Sequence, residues 1–180
     1  MIGNDLVHLP TARIESNPLR PRWIEKVFSV TEQSFLQNCD ELELWLWTLW
    51  SIKEATYKIH QRQFCLKPTF NPKEIEVDCY LLSNGLGTSK VGGEKYSIRY
   101  QYSKDCIHSI ARISGNDQFT MFCNQPELFT DCKSKQLFDT RYDIQKLEYN
   151  IPVAEYRKNG DLVPISISHH GSLWIAVVLS

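Results

Sequence analysis

Three groups of side chains in this 180-residue chain have the types and spacing to do chemistry. The first is Asp5, an acid inside the apolar opening segment Met1 to Leu9. An acid turned inward needs a partner, a metal or a proton. The plainer alternative is a strand-end acid that caps a turn or meets water. The second is Lys53-Glu54 with Lys58. Glu54 precedes Lys58 by one helical turn, the favoured order for an ion pair. As a solvated pair it would be worth only about 0.3–0.5 kcal/mol. The third is Ser168-His169-His170-Gly171. A Ser–His nucleophile is disfavoured there, because strand neighbours point to opposite faces and no GxSxG elbow surrounds the serine. Adjacent histidines diverge in the same way and are a weak metal signal. A polar turn, or an imidazole and a hydroxyl holding a phosphate, are the two readings that stand.

Together the three groups support one another. Two carboxylates, Asp5 and Glu54, with substrate phosphates make the incomplete oxygen octahedron that Mg²⁺ prefers. Lys58 supplies a point charge for a phosphate. A Ser/His element holds a second phosphate. This is the equipment of metal-assisted phosphoryl chemistry, and the residues alone do not name its substrate.

The elements that must position these groups follow from periodicity. Met1 to Leu9 reads as a strand, broken at Asn17-Pro18 and Arg20-Pro21. Trp23 to Phe28 reads as a short helix. Ser29 with Glu32 has capping-box spacing and starts another through Phe35 and Leu36. The clearest helix runs from Glu41 to about His60, with Asp40 as N-cap and Leu42, Trp45, Leu49, Ile52 and Thr56 along one side. Its other flank carries Trp47, Ser51, Glu54 and Lys58.

From Pro72 the period becomes two. Glu74 to Val77 reads as a strand, Asn84-Gly85 and Gly92-Gly93 as turns, and Tyr96 to Ser103 and Ile107 to Ile113 as meander strands. Residues 114–131 read as irregular, Cys132 to Leu147 as a weaker helix, and Asn159-Gly160-Asp161 as a turn. Pro164 to Ser168 and Leu173 to Leu179 read as a hairpin joined through His169 to Ser172. The expected class is α+β, an antiparallel sheet packed on a long helix. One domain over 1–180 is expected, with sub-lobes 1–115 and 116–180.

Composition bounds the function classes. Hydrophobic residues are 42% and charged residues 23% of the chain, which fits a folded globular protein rather than a disordered one. The net charge of −1 argues against nucleic acid or acidic membrane as partners. No apolar run spans a bilayer. The first residues lack a secretory signal, so a cytoplasmic location is expected and the six cysteines are expected as free thiols.

A resemblance extends this reading. Ile2-Gly3-Asn4-Asp5-Leu6-Val7 resembles the GIDLV opening of holo-acyl-carrier-protein synthases, and Trp23 to Glu32 resembles their RVFTxxE segment. Trp50 to Lys58 is similar to the WxxKEAxxK signature of 4′-phosphopantetheinyl transferases, and Ile165 to His169 to their SLSH element. The resemblance implies that family's fold and its reaction. The phosphopantetheine arm of coenzyme A passes to a serine of an apo acyl carrier protein, and adenosine 3′,5′-bisphosphate leaves. It also implies Mg²⁺ held by Asp5 and Glu54, Glu54 as the base toward the carrier serine, and Lys58 on the diphosphate. Ser168 and His169 would contact coenzyme A phosphates. Lys53 matches the motif and joins the coenzyme A set, with a structural role as its alternative.

Three departures accompany the match. Asn4 replaces an apolar residue, Val7 stands where two-lobed transferases keep a second acid, and His8 replaces a frequent Glu. Residues 132–179 also look like the first lobe of the two-lobed type, although Asp161 follows Gly160 where a lysine is usual. Small synthases trimerise and bring the SxSH turn to a neighbour's acids. A homotrimer is therefore expected, with closure of the site inside one chain as the alternative. A non-catalytic binder of carrier protein or coenzyme A and a Mg²⁺-dependent coenzyme A phosphohydrolase are the rival functions.

Overall fold

The computed structural model describes residues 1–18, 20–113 and 118–179. The apolar opening segment forms β1 (Ile2–His8), and α1 (Leu9–Glu15) follows at once. Pro10 sits in the first turn of α1, where its missing N–H costs nothing. This helix was not expected from the sequence. α2 (Pro21–Val27) is the short helix around Trp23. α3 (Val30–Gln37) begins with the expected capping box: the Ser29 hydroxyl accepts the Glu32 N–H, and the Glu32 carboxylate accepts the Ser29 N–H. α4 (Leu42–Phe64) is the long helix. It runs one turn beyond His60, starts after Glu41 rather than Asp40 with no side-chain cap, and ends where Cys65 turns left-handed.

β2 (Glu76–Val77), β3 (Leu86–Val91), β4 (Glu94–Ser103) and β5 (Cys106–Arg112) join β1 in an antiparallel sheet of order β1-β5-β4-β3-β2. β2 is shorter than expected because Pro72–Glu74 forms a 3₁₀ turn. Gly92-Gly93 makes the two-residue hairpin turn between β3 and β4.

The second half differs more from expectation. β6 (Phe119–Cys123) lies in the stretch read as irregular, of which residues 114–117 are outside the described residues, as is the sub-lobe boundary near 115. The helix expected over Cys132 to Leu147 is three elements: β7 (Cys132–Ser134), α5 (Lys135–Arg141) and β8 (Tyr142–Lys146). β9 (Pro152–Tyr156), β10 (Leu162–His170) and β11 (Leu173–Leu179) complete a sheet of order β7-β6-β11-β10-β9-β8, antiparallel except for β6–β7. The short apolar pair Leu137-Phe138 fills both α5 and the core beneath it, so helix spacing over that stretch came from packing rather than one continuous helix. His169 and His170 belong to β10, and the turn is Gly171-Ser172 alone.

The class is α+β, as the pattern implied, with two sheets rather than one. α4 packs on one face of the first sheet, and the second sheet covers the other face. Gly3 allows the close approach of β1 to α4: a Cβ there would stand 2.1 Å from the Ala55 carbonyl oxygen. The middle of α4 is buried nearly all round, with Leu46, Leu49, Ile52 and Ile59 fully enclosed. Leu6, on the opposite face of β1, packs with Cys123, Leu173 and Ile175 of the second sheet. The six cysteines are free thiols, and Cys123 and Cys132 lie with their sulfurs 2.9 Å apart. No helix among the described residues is long and apolar enough to cross a membrane.

Candidate functional site

Asp5, Glu54, Lys58 and Ser168 come together from three elements: β1, α4 and β10. The alternation of β1 sends Gly3, Asp5 and Val7 toward α4 and Leu6 toward the second sheet. Glu54 and Lys58, one turn apart on α4, face that same strand. A cavity of about 400 Å³ opens over them, with Trp50, His169 and His170 also in its walls.

The approach of β10 explains why the serines stand two apart. β1 is an edge strand, so alternate N–H groups along it lack a ladder partner. Those N–H groups are taken by β10 side chains instead of β10 backbone. Asn4 N–H donates to Ser166 Oγ at 2.8 Å, Leu6 N–H to Ser168 Oγ at 3.1 Å, and His8 N–H to His170 Nδ1 at 3.3 Å. Acceptors two residues apart on one strand match donors two residues apart on another, because both have the strand repeat. The accepting role of His170 Nδ1 places its proton on Nε2, 3.6 Å from Glu15. Gly171 is needed at the following turn: its φ is +59°, and a Cβ would meet Thr11 Oγ1 at 2.8 Å.

Ser168 has its hydrogen-bonding capacity filled by the protein. Its hydroxyl donates to Asp5 Oδ1 at 3.2 Å and accepts from Leu6 N–H and from Lys58 Nζ, the last at 3.5 Å. Lys58 Nζ also donates to Asp5 Oδ1 and to the Asn4 carbonyl, each at 3.0 Å. Lys58 thus pairs with Asp5, not with Glu54 as helix spacing alone suggested. His169 alternates away from that face of β10 and is exposed at the cavity wall.

Glu54 is the unusual acid. Among the described residues none donates a hydrogen bond to its carboxylate. Burial first, and then the Asp5 carboxylate, raise its pKa to about 7, with Lys58 pulling the other way. Two carboxylates facing one cavity, one without a donor, are a set that a hard cation neutralises. Among the described residues no three His, Cys, Asp or Glu side chains converge, so the chain would offer such an ion two acids at most.

Lys53 is elsewhere, and the expectation that it touches coenzyme A is corrected. Its side chain is wholly enclosed, paired with Glu32 at 2.8 Å, and donates to the carbonyls of Pro72 and Ile75. All three ammonium protons are used. Burial lowers its pKa while Glu32 holds it up. The other oxygen of Glu32 accepts Val77 N–H at 2.8 Å, so the capping glutamate of α3 also anchors β2.

Sequence reasoning gave no role to Ser166 or to Glu32 beyond its cap, and named His170 and Trp50 without placing them at the cavity. The period of two in Ser166, Ser168 and His170 was a usable signal for one common face. Behind the site, His108 is fully buried between Asn4 and Gln101, and burial followed by the charges of Lys58 and Arg99 lowers its pKa to about 3. The neutral form is the favoured one there.

The chain is 33% identical over 67 residues to the holo-[acyl-carrier-protein] synthase of Mycoplasmopsis pulmonis (strain UAB CTIP), an alignment that covers 37% of this chain and 58% of that protein. The chain therefore matches little more than half the length of that relative. The crystal structure of Thermotoga maritima holo-[acyl-carrier-protein] synthase superposes with a TM-score of 0.46 at 11% identity, over 84% of this chain and 83% of that one. The family model of the 4′-phosphopantetheinyl transferase superfamily matches residues 1–112, the segment that holds Asp5, Glu54 and Lys58. With more than half of its length matched by that model, the chain belongs to the 4′-phosphopantetheinyl transferase superfamily.

Proposed function

We propose that the chain transfers the 4′-phosphopantetheine group of coenzyme A to a serine hydroxyl of an apo acyl carrier protein, releasing adenosine 3′,5′-bisphosphate. The observation that carries the reading is the convergence of Asp5, Glu54, Lys58 and Ser168 on one cavity, in a chain whose family model covers the first three. Asp5 and Glu54 are the residues to hold Mg²⁺, and the ion when bound would neutralise diphosphate oxygens as charge moves to the leaving group.

The chain's own groups do the rest. Glu54 is the group to accept the proton of the carrier serine; burial and Asp5 raise its pKa in the free chain, and a cation shared with Asp5 would lower it again. Lys58 can turn its ammonium toward diphosphate oxygens by giving up its longest bond, the 3.5 Å one to Ser168, while Asp5 and the Asn4 carbonyl keep the rest of it in place. Ser168 orients Asp5 and Lys58 more than it binds phosphate, since its hydroxyl is already filled. His169, exposed on the cavity wall, is the residue free to reach a coenzyme A phosphate.

The Ser168 element that completes the site comes from the same chain, so the site does not require a trimer to supply it. The location that suits this reaction is the cytoplasm, where coenzyme A and carrier proteins meet.

The test is the intact mass of an apo acyl carrier protein after incubation with coenzyme A, Mg²⁺ and this chain. A phosphopantetheine-sized gain, lost with EDTA and with Glu54→Gln, is the expected result. Coenzyme A cleaved with the carrier unmodified would indicate a phosphohydrolase. Coenzyme A bound and intact across a panel of carriers would indicate a non-catalytic binder.

A further inference from the structure

α4 makes one connection twice. Lys58 joins the Asn4 carbonyl to Ser168, and one turn later Arg62 Nη1 joins the Ile2 carbonyl, at 3.1 Å, to Ser166 Oγ, at 3.0 Å. The two connections differ in their acid. Asp5 stands beside Lys58, but the corresponding strand position two residues earlier is Gly3, which has no side chain. Among the described residues no carboxylate forms an ion pair with Arg62. Its Nε is enclosed and has no hydrogen-bond partner. The residue is 8% exposed, and burial lowers its pKa only to about 10, so it carries its charge at neutral pH. An enclosed cation without an anion is a costly arrangement in a folded chain.

The same arginine forms part of the wall of a second cavity, of about 340 Å³, separate from the one over Asp5. Leu147, Ile151, Val153, Pro164 and Ile165 supply most of the remaining wall. Glu148 lies exposed there and makes no ion pair with Arg62. The volume falls at the lower end of what small-molecule sites occupy, and such sites are mostly apolar with a few placed polar groups. Among the described residues Arg62 is the one basic side chain in walls that also include Met1 and the Glu148 carboxylate, and its planar fork matches a planar carboxylate head.

We propose that this cavity binds an amphipathic carboxylate, with its alkyl chain along Ile151, Val153 and Ile165 and its head on Arg62. The acid that the Arg62 connection lacks is then supplied by the ligand. Nothing in this site uses Asp5, Glu54 or Lys58, so it stands or falls apart from the transfer reaction.

The experiment is calorimetric titration of the full chain with decanoate, decanol and decyl phosphate, each below its aggregation threshold. Decanoate is expected to saturate one site, with decanol at least about tenfold weaker, the worth of one charge-assisted hydrogen bond. Arg62→Met should bring decanoate down to the decanol level. Because that substitution also removes bonds to Ile2 and Ser166, Val153→Trp serves as the second variant. It leaves Arg62 in place, fills the cavity, and should abolish binding of both ligands while thermal melting verifies the fold. Absence of decanoate binding up to millimolar concentration, equal binding of decanoate and decanol, or unchanged binding in Val153→Trp would each overturn the proposal. Tighter binding of decyl phosphate than of decanoate would overturn the choice of head group.

Discussion

Lys53 and Lys58 lie five residues apart on one helix, each 3.0 Å or less from a carboxylate, and they do opposite things. The Lys53–Glu32 pair has side chains 0% and 0% exposed; Lys53 spends its protons on Glu32 and two backbone carbonyls, and each Glu32 oxygen accepts a backbone N–H. The Lys58–Asp5 pair is 21% and 10% exposed and opens on a cavity beside a second acid that has no donor. The closed pair ties α3, α4 and the start of the first sheet together. The open pair lies at the cavity beside Glu54, the acid without a donor among the described residues. Burial of an ion pair therefore does not mark a site; the incompleteness of its partners does.

The strongest way to break the comparison is at Lys53. Lys53→Ala leaves Glu32 buried without its cation, which should cost about 3–5 kcal/mol, read from urea unfolding. Replacing both partners, Lys53→Met with Glu32→Leu, should recover part of that loss, limited by the Val77 and Ser29 N–H groups that Glu32 also satisfies. A Lys53→Ala protein of native stability that had lost only coenzyme A affinity would move Lys53 back into the site.

Lys58→Ala should shift the balance toward activity. Asp5 keeps its bond from Ser168, so the stability loss should be smaller than at Lys53, about 1.5–3 kcal/mol. Carrier modification should slow by roughly 10²-fold, the loss typical of one electrostatic contact to developing charge. A large fall in stability with turnover unchanged would make Lys58 a second structural lysine.

How much of this contrast the sequence could show depends on the distance between partners. The Ser29–Glu32 box is local, and its spacing was enough to place α3. The attachment of Glu32 to Lys53 spans 21 residues and left no local trace. Asp5 and Ser168 are 163 residues apart; their residue types suggested a shared phosphate chemistry, and the resemblance tied them to one site. β6, β7 and β8 have five residues or fewer and owe their conformation to neighbours in the sheet, so their periodicity was too short to read. The Gly171-Ser172 turn is so tight that both histidines remain in the strand, where composition alone had suggested a loop.

Glu54 sharpens the comparison through pH. Its folded pKa, near 7, lies above the ordinary carboxylate value, so the folded state favours its protonated form. That contribution is complete at pH 4 and is lost as pH rises through about 7. In EDTA, Glu54→Gln should therefore match the parent near pH 4 and exceed it at pH 8, by on the order of 2 kcal/mol after allowance for partial exposure. Equal stability at both pH values would mean that Glu54 is solvated and relaxed, and the open pair would lose its unsatisfied neighbour.

Ser168→Ala is the smallest change and separates orientation from binding. The hydroxyl accepts Leu6 N–H and donates to Asp5, so its removal leaves an edge-strand donor and a carboxylate lone pair without a protein partner. A loss of about 1–2 kcal/mol is expected. If Ser168 only orients Asp5 and Lys58, kcat should fall by less than about tenfold with the KM for coenzyme A nearly unchanged. His169→Ala should show the opposite split: no loss of stability, because the ring is exposed, and a raised KM. A raised KM in Ser168→Ala with kcat intact would assign phosphate contact to the serine after all, and the filled hydroxyl seen here would then have to release Lys58 when substrate enters.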